Sequence, residues 1–323
     1  MSRKKHRAYV DIYGIVGASE NPSVVADYRS GVMRWYEESV GAGSPVVFLP
    51  GSGWCANAGM NIADELKSDH QVRLVDLPGI GRSDGIQGRV TPKRMGEWVE
   101  EYLDERGIGR SHLIGHSLGG AILLAFSVQN PHRVKSLTLL DIGYARVPRF
   151  PIHMLGSAGY LAPVVSGLER AFGPKILQKV MGSELSQGEA QTVSKLQDDL
   201  DARIADVKSR GWYSLEDDKY LRKALEFEPS MSVEGMALWL ALYRMNPRSL
   251  IPQITFPCML MHGLFPNADV KFRRRVQQSI KKCYSLNPQV DYYPVPSGHY
   301  VHWSDADVVR DIGAFVRQHD ETA

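Results

Sequence analysis

The apolar positions along the chain follow two alternating rhythms. Short apolar runs closed by turn residues read as buried strands. They are Val-Val-Phe-Leu at 46–49 before Pro50-Gly51, Val-Arg-Leu-Val-Asp at 72–76 before LPGIG, and 112–114 before Gly115. Val134 to Leu140, CMLMH at 258–262 and VDYYPV at 290–295 read the same way. Between them the spacing turns helical. Thr91 as N-cap and Pro92 at the first helical position open a helix whose buried stripe is Met95, Trp98, Val99 and Leu103. Leu118 to about Val128 is a second helix, stopped near Asn130-Pro131. Val270 to Cys283 reads as a basic helix, and Asp305 to Gln318 as a last one. Strands separated by helices predict an α/β fold with a mostly parallel sheet covered on both faces.

The alternation breaks from Tyr144 to Ile254, where the pattern is helical, as in QTVSKLQDDLDARIADVKS and EGMALWLALYRM. A stretch of that length is too long for a loop in a compact domain. It divides the chain into a sheet domain at 1–143 and 255–323 and an inserted helical unit at 144–254.

Composition narrows the function classes. The chain has 323 residues, 43% hydrophobic and 23% charged, with a formal net charge of +2. So weak a field does not point to nucleic acid or an anionic membrane as partner. Arg3, Lys4, Lys5 and Arg7 read as a solvated start. Cys55, Cys258 and Cys283 are few, odd in number and without paired spacing, so neither a disulfide scaffold nor a zinc site is expected. Such usage suits a cytoplasmic location. No uncharged apolar run reaches the ~18 residues of a membrane helix, and Asp11 interrupts what would be a secretory signal.

The candidate chemistry centres on IGHSLGG at 114–120. The sequence G-H-S-L-G between a strand and a helix fits a nucleophile elbow, which exposes Ser117 on a strained turn and aims helix N–H groups at a developing oxyanion. A base is then required. His299 follows Ser297-Gly298 just beyond the last strand, where catalytic groups of open α/β sheets gather. His116 reads as packing at the elbow, and His302 as flanking the final helix. GSGWCA at 51–56 is also G-x-G-x-x-A, with Asp76 twenty residues after Ala56. That spacing suits a dinucleotide-binding oxidoreductase, but it leaves GHSLGG and SGHYVHW without a purpose.

Four stretches in order, VVFLPGSG, DLPGIGRSD, IGHSLGG and SGHYVHW, resemble the α/β-hydrolase superfamily over nearly the whole chain. The resemblance implies that 144–254 is a cap over the active site, and that the N–H groups of Ser52 and Leu118 form the oxyanion hole. The family often has His-Gly where this chain has Pro50-Gly51. The triad acid of the family usually stands third after the Gly ending the seventh strand, and here that residue is Pro266. Two candidates remain. Asp269 immediately precedes a helical pattern, which suits an N-cap equally well. Asp141 ends VKSLTLLD, where some members, haloalkane dehalogenases among them, place the acid. Those enzymes use an Asp nucleophile, whereas this chain has Ser117. The resemblance therefore implies cofactor-free acyl transfer from an ester, thioester or lactone small molecule to water through an acyl-enzyme. C–C bond hydrolases and cofactor-free perhydrolases share the constellation, and a catalytically inactive binding or regulatory protein on the same fold is a further alternative. Trp54, Trp212, Trp239 and Tyr243 are candidate substrate contacts. Cys55 reads as packing, and Arg82 and Asp84 as holding a loop.

Overall fold

A computed structural model describes residues 33–142, 162–173, 176 and 199–320. The strands are β1 Glu37–Val40, β2 Ser44–Leu49, β3 His70–Val75, β4 Ser111–His116, β5 Val134–Leu140, β6 Cys258–Gly263 and β7 Val290–Val295. They form one sheet of order β1-β3-β2-β4-β5-β6-β7, in which β1 is antiparallel to β3 and the other neighbours are parallel. The helices around it are α1 Met60–Leu66, α2 Pro92–Glu105, α3 Ser117–Gln129, α4 Ala162–Phe172, α5 Leu200–Ser209, α6 Lys219–Leu225, α7 Val233–Arg244, α8 Pro247–Leu250, α9 Val270–Tyr284 and α10 Ala306–Gln318.

Period-two side chains give the sheet two apolar faces. Val47, Leu49, Leu113, Leu137 and Leu139 meet α2 and α3 through Trp98, Val99, Leu103, Ile122 and Phe126. Val46, Phe48, Val72, Leu74 and Ile114 meet α1 and α10 through Ile62, Leu66, Val309, Ile312 and Val316. Helix α2 begins as its sequence dictates: Pro92 is in the first turn and the Arg94 N–H donates to Thr91 Oγ1 at 3.2 Å. Helix α3 is apolar all round, and such a helix must be buried on every side.

Strand β1 carries no apolar run that a pattern could find. Its Glu37 and Glu38 are buried, and Glu37 is held by Arg73 at 2.9 Å, Arg106 at 3.1 Å and the Tyr102 hydroxyl. Charge pairing there substitutes for apolarity. Among the described residues of 144–254, the regular elements are the helices α4 to α8 and a 3-10 turn at Ile251–Gln253. The rest of that stretch, including most of QTVSKLQDD, lies outside the described residues, as do 1–32. The LPGIGRSD turn fastens this helical segment to the sheet: Ser232 N–H donates to Gly79 O and Gly81 N–H to Ser230 O, both at 2.8 Å.

The backbones pack closely behind the elbow. Gly119 N–H donates to Pro50 O at 3.1 Å, and a Cβ on Gly119 would fall on Leu49 O and 2.5 Å from Pro50 O. Gly119→Ala is therefore expected to cost about 2–3 kcal/mol, the scale of an overpacked core. Urea unfolding would show a lower midpoint at unchanged slope. A midpoint equal to wild type would reject this close approach.

Candidate active site

Strand β4 ends at His116 and helix α3 starts at Ser117, with no residue between them to ease the turn. Ser117 accordingly takes φ 50°, the left-handed region, which costs a non-glycine residue roughly 1–2 kcal/mol. The strain lifts a partly exposed hydroxyl out of an otherwise buried strand. Leu118 is the second residue of α3, so its N–H has no carbonyl within the helix to bond. The loop carrying Ser52 lies against the elbow. A Cβ on Gly51 would stand 2.7 Å from His116 Nδ1 and 3.4 Å from Ser117 Cβ.

Asp141 follows β5 directly and is the second strained non-glycine residue, at φ 46°. Its N–H donates to Met261 O at 2.9 Å, and its Oδ1 accepts the Gly263 N–H at 3.2 Å. Its Oδ2 lies 2.6 Å from Nδ1 of His299. The carboxylate can only accept, so Nδ1 carries the proton and Nε2 keeps its lone pair. Asp141 is buried, whereas the His299 side chain is 34% exposed, so the ring stays open to a bound molecule. Asp269 is elsewhere and occupied. It is exposed and accepts the Phe272 N–H at 2.9 Å as the N-cap of α9.

His299 sits on a loop tied to the end of β6, with Phe265 N–H donating to Ser297 O at 2.8 Å and Leu264 N–H to Val295 O at 2.9 Å. Its ring centroid lies 4.7 Å from that of His116, the residue just before Ser117. His116 does more than fill space, which its sequence position alone did not reveal. It is buried, and Nε2 donates to the carbonyl of His299 at 3.0 Å. Burial first, then charge on His299 and His302, holds its pKa well below that of an ordinary histidine. A neutral ring has one N–H, and that proton anchors the His299 loop.

His302 is also buried, and desolvation pushes its pKa down to about 3. Both histidines are protonated in the unfolded chain below about pH 6.5 and neutral in the fold, so the unfolded state binds more protons. Stability is expected to be full above that pH and to fall as pH decreases toward 3. The slope is on the order of 1.4 kcal/mol per pH unit for each histidine. Urea midpoints at pH 7 and pH 5 check this, and the fall should shrink in His302→Phe. An equal fall in that variant would exclude His302 as a source.

Aromatic side chains wall the site. Trp212 is half-buried with its ring 5.3 Å from Tyr300, and Tyr300 is 5.3 Å from His299. Trp54 is 6% exposed, packs edge-on to Trp303 at 4.7 Å and shares an apolar cluster with Tyr213 and Leu221 of the helical segment. Trp239 is on α7, which packs against α3. Tyr243 is on the same helix, and its side chain lies outside the described ones. Tyr300 was not among the candidate contacts, although its place beside His299 in GHYVHW is a signal for it.

The residues of the dinucleotide reading serve another purpose. Asp76 is fully buried and accepts the Ala56 N–H at 2.6 Å, the Arg82 N–H at 2.9 Å and Arg82 Nε at 2.8 Å. No oxygen is left for a ribose, and the loop N–H that would meet a phosphate already meets a carboxylate. Arg82 lies over the Tyr36 ring at 3.3 Å, and Asp84 pairs with Arg34 at 3.2 Å, so both hold the loop. Cys55 is buried with its thiol pushed up to about 12 by desolvation, which suits packing and not nucleophilic chemistry. Among the described residues, no helix is long and apolar enough to cross a membrane.

Comparison with known proteins agrees with this architecture. Residues 44–196 match the alpha/beta hydrolase fold family. The chain is similar to the 2-hydroxy-6-oxononadienedioate/2-hydroxy-6-oxononatrienedioate hydrolase of Cupriavidus pinatubonensis, at 36% identity over 150 residues, 42% of this chain and 51% of that one. It spans less than two thirds of the length of the curated relatives it matches. In structure it is similar to a thermophilic esterase from Thermogutta terrifontis, with TM-score 0.59 and 19% identity, covering 92% of this chain and 97% of that one. It is also similar to the enol-lactonase of Burkholderia xenovorans, with TM-score 0.53 and 17% identity over 88% and 97% of the two chains. The sheet order, the strained serine between β4 and α3 and these likenesses give the chain the α/β-hydrolase fold.

Proposed function

We propose that this chain is a serine hydrolase that cleaves a carboxylic ester, thioester or lactone through an acyl-enzyme. The observation that carries the reading is the 2.6 Å contact between Asp141 and His299 beside a serine held at φ 50°. His299 Nε2 takes the Ser117 proton as the hydroxyl attacks the carbonyl, and the Ser52 and Leu118 N–H groups receive the oxyanion. The imidazolium then protonates the leaving group, and the freed base activates water to release the acid. Asp141 fixes the tautomer and stabilises the imidazolium. Residues 144–254 act as a cap that selects substrate, with Trp212 beside Tyr300 as its aromatic contact.

C–C bond hydrolysis is a second reading. It is favoured by the relative whose name describes hydrolysis of a 2-hydroxy-6-oxo-dienedioate. The same groups would serve it, with a carbon leaving group in place of oxygen.

The test is intact mass after a fluorophosphonate probe, on wild type and Ser117→Ala. One adduct on wild type alone is expected. A panel of esters, lactones and a 2-hydroxy-6-oxo-dienoate then separates the two readings. Folded wild type that takes no adduct and turns over no panel member would instead support a catalytically inactive binding protein.

A further inference from the structure

The opposite end of the sheet from Ser117 holds a second cluster of chemistry-bearing groups, built from residues far apart in sequence. His70 opens β3, His112 is the second residue of β4, and Asp320 follows α10. One ligand atom from each lies within 4.8 Å of the others. Both rings are buried, at 1% and 0% exposure, while the Asp320 side chain is 29% exposed and leaves a path from solvent.

The orientation of the two rings is the informative feature. His112 Nδ1 lies 2.8 Å from Ser136 Oγ, and His70 Nδ1 lies 3.3 Å from Asp69 Oδ1. An oxygen thus stands on the Nδ1 side of each ring, where a metal-bound imidazole usually finds its support, and at His112 the contact is a hydrogen bond of good geometry. That leaves the two Nε2 atoms facing one carboxylate. His112 Nε2 is 3.2 Å from Asp320 Oδ1 and His70 Nε2 is 3.4 Å from Asp320 Oδ2. Neither nitrogen of His70 has a hydrogen-bond partner of good geometry. With both Nδ1 protonated, three lone-pair donors converge, and the Lys135 ammonium meets only the Asp320 oxygen among them. Bonds of about 2.0–2.1 Å set neighbouring ligand atoms roughly 3.3 Å apart; each nitrogen meets its own carboxylate oxygen near that distance, so Asp320 would hold the ion through both oxygens.

The geometry points to a site for one borderline divalent transition metal, of the zinc, cobalt or nickel kind, held by His70, His112 and Asp320 with water completing the shell. Two imidazoles and one carboxylate select such ions over magnesium or calcium. The ion would tie the residue after α10 to the feet of β3 and β4, so its effect falls on stability and not on the distant serine. Lys135 is its competitor. The ammonium lies 2.9 Å from Asp320 Oδ1 and 2.7 Å from Ser44 Oγ, and the ion must displace it from that oxygen.

The test is titration of the untagged, chelator-treated chain with Co2+, followed by visible absorption, and with Zn2+, followed by calorimetry. One ion per chain is expected, with a rise of several degrees in Tm at saturation and no response to Mg2+. His112→Gln and Asp320→Asn should each abolish binding. Asp320→Asn, at the more exposed ligand, serves if the buried substitution prevents folding. Ser136→Ala should weaken binding by about 10–100-fold, and Lys135→Met should tighten it. Wild type that binds no ion overturns the proposal, even if Lys135→Met then binds one, because the ammonium would be the native cation. Equal binding by wild type and Asp320→Asn also overturns it, because the ion would sit elsewhere.

Discussion

Ser117→Ala is expected to lower kcat by on the order of 10⁶ on whichever ester or lactone wild type turns over, with KM changed little. The hydroxyl is the only atom removed. The oxyanion N–H groups and the His299–Asp141 pair stay in place, so a small residual rate over water should survive. The fold should be indifferent, since alanine at φ 50° is no better accommodated than serine. Ser117→Gly separates strain from chemistry. It should be equally inactive, yet more stable by about 1 kcal/mol, because glycine takes the left-handed region without penalty. That gain would read as a rise of about 2 °C in Tm. Matched kinetics and thermal melts on the three proteins check both parts. A Ser117→Ala variant keeping more than about one part in a hundred of wild-type kcat is incompatible with a nucleophilic serine.

The sequence was most legible where one local rule governs. The short apolar runs closed by turn residues found six strands, and Thr91-Pro92 marked the start of α2, because caps and apolar runs act over a few residues. Strand β1 was missed because Glu37 is buried by pairing with Arg73, Arg106 and Tyr102, which lie in other elements, and Glu38 beside it accepts from the Tyr36 hydroxyl. The site divides along the same line. Ser117 is visible because the elbow is contiguous. The choice between Asp141 and Asp269 is not local: it depends on which strand end His299 leans toward, and the pairing of β6 between β5 and β7 sets that. The bond from His116 to the His299 carbonyl spans 183 positions, so no spacing could announce it. The convergence of His70, His112 and Asp320 is hidden for the same reason.

That non-local choice yields the sharpest contrast between two conservative substitutions. Asp141→Asn is expected to lower kcat by about 10⁴, the scale of a triad histidine held in the wrong tautomer. The backbone tolerates the change, since asparagine is among the few residues at ease near φ 46°, and its amide oxygen can still accept the Gly263 N–H. The amide NH2 then faces His299 Nδ1, which must present a lone pair to it. The ring proton moves to Nε2, and the base toward Ser117 is lost. Asp269→Asn should leave kcat unchanged. Asparagine caps a helix as well as aspartate, so the bond to the Phe272 N–H survives and stability should move by less than about 0.5 kcal/mol. Fluorophosphonate labelling rates on the two variants give the same comparison without a known substrate, because probe attack needs the same base. Slow labelling in Asp269→Asn beside normal labelling in Asp141→Asn would transfer the acid to the N-terminus of α9. The 2.6 Å contact would then be structural support for the histidine loop.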